Sequence, residues 1–190
     1  GVLEGFVIVA DEIKTDAASS VSKMKALGIA TVMLTGDEKN SAQAVAKETG
    51  IDEVYAQLLP QEKLEHLKNV RKNHGAVMFV GDGINDAPVL ARADVGIAMG
   101  GLGSDAAIEA ADVVLMTDEP SKIATVIKIA RKTLRIAHEN IVFALAVKFL
   151  VLFLGAIGYA SMWAAVFADV GVSVIAILNA IRAMNVKKYN

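Results

Sequence analysis

The sequence predicts an α/β domain with a doubly wound parallel sheet, followed by a hairpin of two membrane-crossing helices. Three observations carry this reading. Short Val- and Ile-rich runs without polar alternation recur between amphipathic stretches, which is how strands buried on both faces of a parallel sheet appear. Charge is concentrated in the first part: residues 1–139 hold 15 Lys or Arg and 20 Asp or Glu, whereas residues 141–181 hold only Lys148 and Asp169. Within the apolar part, residues 140–160 and 162–184 each supply about 20 residues, enough to cross a hydrocarbon core as a helix.

Strands are expected over residues 5–10 (GFVIVA), 30–34 (ATVML), 54–56, 76–80 (AVMFV), 95–98 and 113–116. Between them, helical periodicity places Ala17, Val21, Met24 and Leu27 on one face of residues 15–27, and Leu64, Leu67 and Val70 on one face of residues 61–72. Alternation of this kind implies the doubly wound architecture. A tight turn around Tyr159, Ser161 and Trp163 joins the two apolar spans. Basic residues precede the hairpin (Lys128, Arg131, Lys132, Arg135) and follow it (Arg182, Lys187, Lys188), with none in the turn, so both ends are expected on the cytoplasmic side. A buried helical pair in a soluble protein is the competing reading; two consecutive spans of this length with basic flanks argue against it. The first residues lack the basic region of a signal peptide. The expected organisation is the α/β domain over 1–120, a connecting helix over 121–138, membrane helices over 139–160 and 162–184, and a cytoplasmic tail over 185–190.

Composition excludes some functions. Nineteen basic residues against 21 acidic ones leave a net charge of −2, with no polyelectrolyte drive towards nucleic acid. There is no Cys, hence no disulfide or thiolate-metal site within this chain.

Ligands of such sheets sit beyond the carboxyl ends of the strands. Three Gly-containing polar turns fall there: Thr35-Gly36-Asp37, the run GDGINDAP over 81–88, and GGLGSD over 100–105. They suit phosphoryl transfer with a hard cation. Asp82 and Asp86 are oxygen donors for Mg²⁺ or for its bound waters, Gly83 lets backbone N–H groups approach phosphate oxygens, and Thr35 offers a hydroxyl. Lys63, early in the helix after Pro60, would add a fixed positive charge.

Thr35-Gly36-Asp37, Pro60-Gln61-Glu62-Lys63 and the long motif over 81–88 occur in the order found in the haloacid-dehalogenase superfamily and, within it, the P-type ATPases, which the chain resembles over essentially its whole length. The resemblance implies that Asp82 binds Mg²⁺, that Asn85 and Asp86 position the phosphoryl group, and that Lys63 stabilises it. Thr35, Gly36 and Asp37 would contact phosphate and ATP. The family's nucleophile lies in an Asp-Lys-Thr-Gly-Thr motif that does not occur here. The chain is therefore expected to be the C-terminal portion of a longer pump and inactive alone, its partners being membrane lipid and a missing N-terminal portion with actuator, nucleotide-binding domain and earlier membrane helices. The alternatives are a membrane-tethered phosphatase of the same superfamily and a truncated, non-catalytic accessory membrane protein.

A charge in the bilayer centre costs about 2.5–3.5 kcal/mol on insertion scales, so Lys148 and Asp169 need a reason to be there. Counted from the turn they are offset by about five residues, roughly 7.5 Å, which a lysine can bridge. Either they are an ion pair that holds the hairpin, or Asp169 binds a transported cation and Lys148 is its counter-charge. The chain is similar to the heavy-metal subclass that exports Zn²⁺, Cd²⁺ and Pb²⁺, which has a lysine in the penultimate span and Asp-x-Gly in the last, matching Lys148 and Asp169-Val170-Gly171. Copper exporters instead carry Tyr-Asn in the penultimate span and a Met- and Ser-rich motif in the last, and neither appears in the two spans here. The Cys-Pro-Cys element of the family belongs to an earlier span, so the lack of Cys does not oppose soft-metal transport. A bacterial plasma membrane with a cytoplasmic catalytic domain is the location this likeness implies.

Overall fold

The computed structural model describes residues 12–81, 84–100 and 105–185. The strand expected over 5–10, the site residues Asp82 and Gly83, most of the glycine turn after residue 100 and the tail beyond residue 185 lie outside the described residues. The chain divides into two units, residues 1–124 and 125–190.

In the first unit helices and strands alternate: α1 (Ala17–Ala26), β1 (Val32–Leu34), α2 (Lys39–Thr49), β2 (Glu53–Tyr55), α3 (Pro60–His74), β3 (Met78–Gly81), α4 (Ala87–Leu90), β4 (Val95–Met99), α5 (Asp105–Ala110) and β5 (Val113–Leu115). All pairings are parallel, as the unbroken apolar runs predict. Among the described residues they form two groups, β1-β2 and β3-β4-β5, with no pairing between β1 and β3. The division into two groups is not visible in the sequence pattern.

The strands begin where aspartates hold them. Asp52, Asp94 and Asp112 each stand one residue before a strand. Asp52 Oδ2 accepts from the Thr31 N–H (2.9 Å), Asp94 Oδ2 from the Val77 N–H (2.9 Å) and Asp112 Oδ2 from the Gly96 N–H (2.8 Å). Each aspartate returns its own N–H to the carbonyl of the same residue, at 3.1, 3.0 and 2.9 Å. Two neighbouring chains are thus locked in register before the ladder starts. For two of the three, the other carboxylate oxygen takes a base from the last turn of the helix that leads into the neighbouring strand: Lys25 of α1 on Asp52 and Arg71 of α3 on Asp94, both at 2.6 Å. A base there also suits the negative end of the helix dipole. Thr31 and Val77 carry these latches one residue ahead of β1 and β3, which start two residues later than their apolar runs. Asp16 does a related job at longer range: its Oδ2 accepts from the Ser121 N–H (2.9 Å), capping the helix that follows β5, and this bond lowers its pKa.

The core lies between β4, α4 and α5, where Val89, Leu90, Ile97, Ala98 and Ala107 are buried and Phe79 and Val114 pack around them. Burying a Leu or Ile side chain contributes about 1.5–3 kcal/mol. A Cβ at Gly96 would stand 2.6 Å from the Leu90 carbonyl oxygen, so only glycine lets α4 lie this close to β4.

In the second unit the expected connecting helix and first span are one helix, α6 (Ser121–Ala156), 36 residues long. The chain then turns; Tyr159 N–H bonds the Leu154 carbonyl (2.8 Å) and Ser161 Oγ accepts from the Ala164 N–H (3.3 Å) to cap the returning helix. That helix runs as α7 (Met162–Val166), a π-helical turn over Phe167–Gly171, α8 (Val172–Ala180) and a 3₁₀ turn over Ile181–Met184. Both helices are long and apolar enough to cross a membrane, and only 0% and 11% of their most apolar windows are covered by the protein itself. Phe143, Phe149, Phe153, Trp163 and Phe167 stand exposed. A core helix of a soluble protein would bury such residues; these suit lipid.

The Asp52 latch makes an acid-stability prediction. Hydrogen bonding from Lys25, and then from the Thr31 N–H and hydroxyl, lowers the Asp52 pKa from 3.8 to about 2. The stabilisation this represents is complete above the unfolded value and is lost as pH falls through about 2. Asp52→Ala is expected to be less stable than the parent at pH 7, with the gap closing between pH 4 and pH 2; urea denaturation of both at stepped pH checks it.

Candidate functional site

The carboxyl ends of the strands carry two preformed clusters. After β1, Thr35 Oγ1 donates to Asp37 Oδ2 (2.7 Å) and accepts from the Asp37 N–H (3.1 Å), closing a tight turn. The segment after β2 ties this turn down. Leu58 N–H donates to the Thr35 carbonyl (3.0 Å), Gln57 N–H to the Asp37 carbonyl (2.9 Å), and Thr35 N–H to the Tyr55 carbonyl (3.0 Å). Gln57 is held at φ 59°, in the left-handed region that costs a non-glycine residue energy. A Cβ at Gly36 would stand 3.4 Å from the Leu58 carbonyl oxygen, a snug but ordinary contact. Thr35 is half-buried and Asp37 is exposed.

The second cluster joins residues 23 apart in sequence. Lys63 Nζ donates to Asp86 Oδ1 at 2.9 Å, and the two side chains are only 17% and 15% exposed. Shielded this far from water, the pair is screened less than a surface ion pair. Lys63 is placed by α3, whose start is set by Pro60 in its first turn and by Glu62 Oε2 accepting the Leu59 N–H (2.7 Å). Asp86 is placed by a 3₁₀ turn, Ile84–Asp86, that leads into α4. A Cβ at Gly81 would lie 2.8 Å from Asp86 Cβ and 3.0 Å from its Oδ2. The glycine ending β3 therefore makes the room in which Asp86 sits, a positioning role that the motif's spacing does not reveal. Asn85 is exposed beside Asp86.

The structure thus pairs Thr35 with Asp37 and Lys63 with Asp86. By residue type, Asp82, Asn85 and Asp86 are oxygen donors, the set a hard cation such as Mg²⁺ takes. Among the described residues no three His, Asp or Glu side chains gather around one point. A held ammonium, a hydroxyl and exposed turn backbone are the groups that orient and neutralise anionic oxygens.

The hairpin carries a third cluster. Lys148 Nζ lies 3.1 Å from Asp169 Oδ1, so the lysine bridges the axial offset expected from the sequence. Asp169 belongs to the π-helical turn, and Ser173 Oγ donates to its carbonyl oxygen (2.7 Å). π turns appear often at functional positions in helices.

The sequence matches the haloacid dehalogenase-like hydrolase family over residues 2–94, and a second haloacid dehalogenase-like hydrolase description over residues 62–127. It is 59% identical over 187 residues to a cadmium, zinc and cobalt-transporting ATPase of Bacillus subtilis (strain 168), and 58% identical over 181 residues to a zinc-transporting ATPase of Synechocystis sp.. Those alignments cover 96% and 94% of this chain. The crystal structure of a zinc-transporting PIB-type ATPase in the E2.Pi state superposes with a TM-score of 0.86 at 39% identity, over 92% of this chain and 28% of that one. The chain belongs to the P-type ATPase family. It covers 27% and 25% of the length of the two curated relatives. Membership in this ATPase family accounts for the joint presence of a haloacid-dehalogenase-like parallel sheet and two apolar helices.

Gly81→Ala is expected to destabilise the fold by about 1–3 kcal/mol, because the new methyl overlaps Asp86. Most of that cost should persist in an Asp86→Ala background, which keeps the clashing Cβ. Chemical denaturation of the two single variants and the double variant measures it; a Gly81→Ala variant as stable as the parent removes the close-approach argument.

Proposed function

We propose that this chain is the C-terminal part of an ATP-driven pump that exports divalent heavy metals, with Zn²⁺ and Cd²⁺ as cargo. The observation that carries the reading is the Lys148–Asp169 contact at 3.1 Å between two helices whose surfaces suit lipid. An ionisable pair at membrane depth is costly, and its use as an ion site gives it a purpose. Asp169 supplies a carboxylate oxygen to the metal, and Lys148 withdraws as the cation enters. When the metal must leave, the tethered ammonium returns to the carboxylate and neutralises it, so the site is never an isolated buried anion. The names of the relatives add cobalt to the cargo range, and Pb²⁺ stays in it by likeness of motif alone.

On the other unit, Thr35, Gly36, Asp37, Lys63, Asn85 and Asp86 form the phosphoryl-transfer machinery. Lys63 provides the positive charge that faces the phosphoryl oxygens, and its bond to Asp86 holds it ready. The turn of Thr35 and Asp37 orients phosphate or nucleotide oxygens with a hydroxyl and backbone N–H groups. By the motif alone, Asp82 would hold Mg²⁺, Asp86 would assist it and Gly83 would admit phosphate to the backbone. Mg²⁺, when bound, neutralises phosphoryl charge. ATP would phosphorylate an aspartate contributed by the N-terminal portion, along with the nucleotide-binding and actuator domains and earlier membrane helices. The expected arrangement is residues 1–120 and the tail in the cytoplasm, with spans over 139–160 and 162–184 in a bacterial plasma membrane.

In the complete pump, Asp169→Ala is expected to reduce Zn²⁺- or Cd²⁺-stimulated ATP hydrolysis to the metal-free rate. Lys148→Ala should retain stimulation but turn over more slowly, since the counter-charge that promotes release is gone. Steady-state ATPase assays across a metal titration read both, and unchanged stimulation in Asp169→Ala rejects the ligand role.

A further inference from the structure

The two spans meet through more than the ion pair. Towards their ends away from the turn, Asn140 Nδ2 donates to the Ala176 carbonyl oxygen (3.0 Å) and Asn179 Nδ2 donates to Asn140 Oδ1 (2.8 Å). Arg182 Nη1 then donates to Asn179 Oδ1 (2.7 Å) and to Glu139 Oε2 (3.1 Å). Each amide both donates and accepts, and both asparagines are half-buried. Neither has a part in the phosphoryl or ion chemistry above.

Their placement has a physical consequence. Between lipid-embedded helices there is no hydrophobic force to select an alignment, because the tails are as apolar as the side chains; close packing and hydrogen bonds do the selecting. Partly covered apolar residues such as Ala144, Val147 and Val151, with buried Val172 on the other span, fit many alignments, whereas the reciprocal amide pair is satisfied in one. From Asn140 to Lys148 is eight residues along α6, and from Ala176 back to Asp169 is seven along the returning helix, roughly 12 Å and 10.5 Å. The amide pair and the ion pair therefore belong to the same antiparallel alignment, two turns apart. Slipping one helix by a single residue would turn its side chains by about 100° and carry Asp169 away from Lys148.

We propose that Asn140 and Asn179 are positioning residues: their amide clamp, steadied by Arg182 and Glu139, sets the alignment at which Lys148 reaches Asp169. Its functional meaning rests on the reading of that pair as the ion site, while the alignment itself is separately measurable.

The experiment uses the full chain in lipid vesicles and a membrane-permeant carbodiimide. The reagent activates the Asp169 carboxyl, the Lys148 amine displaces the urea by-product, and an amide bond forms with net loss of water; mass spectrometry of the digest quantifies it. The parent should cross-link, and Asn140→Leu and Asn179→Leu should each lower the yield at least about fivefold, with the double variant no worse than either. Helicity by circular dichroism should be unchanged in all three, and Asn179→Gln, which keeps an amide, should recover most of the yield. Where a Leu variant loses helicity, Asn140→Ser and Asn179→Ser, too short to span the gap, are read in its place. Yields equal to the parent's, no cross-link in the parent, or a yield that falls only when helicity falls would each overturn the proposal. Protection of the parent's cross-link by Zn²⁺ reports the metal-ligand role separately: an unprotected but variant-sensitive cross-link removes the ion-site reading and upholds the alignment.

Discussion

A carboxylate placed one residue ahead of a parallel strand governs the geometry of the first unit. The evenly slanted bonds of a parallel ladder tolerate slippage unless something pins one end, and a slip of one residue turns every side chain to the opposite face. Asp52, Asp94 and Asp112 each exchange two bonds with the neighbouring chain before the ladder begins. The pairings that follow, Leu34 beside Tyr55 and Gly81 beside Ala98, deliver the turns at the far end. The Thr35–Asp37 turn and the seat of Asp86 are thus consequences of contacts made at the opposite edge of the sheet.

Charge pairing is the second unifying feature. In both Lys63–Asp86 and Lys148–Asp169 a lysine is held against a carboxylate, the first pair inside the protein and the second between apolar helices. Stripping one partner from such a pair leaves an unneutralised charge in a poorly solvated place.

Much of this was legible in the sequence, and the illegible part has physical causes. Local apolar runs located the five described strands to within two residues, and the concentration of charge in residues 1–139 separated the sheet from the hairpin. The repeated Ala-Asp-Val at 93–95 and 111–113 was in plain view, but an aspartate before a strand reads as a turn residue until its partner on the neighbouring chain is known. Lys63 and Asp86 were each picked out by motif; their contact is tertiary and has no local signature. The same holds for Gly81, whose need arises from an atom five residues away folded back over it. For Lys148 and Asp169 simple helix geometry sufficed to show that a lysine could span the offset, whereas the amide contacts of Asn140 and Asn179 that accompany it have no local signature. The π turn at Phe167–Gly171 was not foreseen, because a single wide turn leaves the apolar pattern almost unaltered.

The division of the sheet has a thermodynamic corollary. Among the described residues β1 and β3 each have a strand on one side only, and an unmatched strand edge is a row of backbone donors and acceptors awaiting a template. A strand able to bond with both edges would join the two groups into one sheet, its carboxyl end emerging between the Thr35–Asp37 turn and the Lys63–Asp86 pair. Folding of this unit and capture of such a strand are then linked equilibria: the tighter the strand is held, the more stable the sheet becomes, and a reacting group carried on it arrives among its neighbours in the same event.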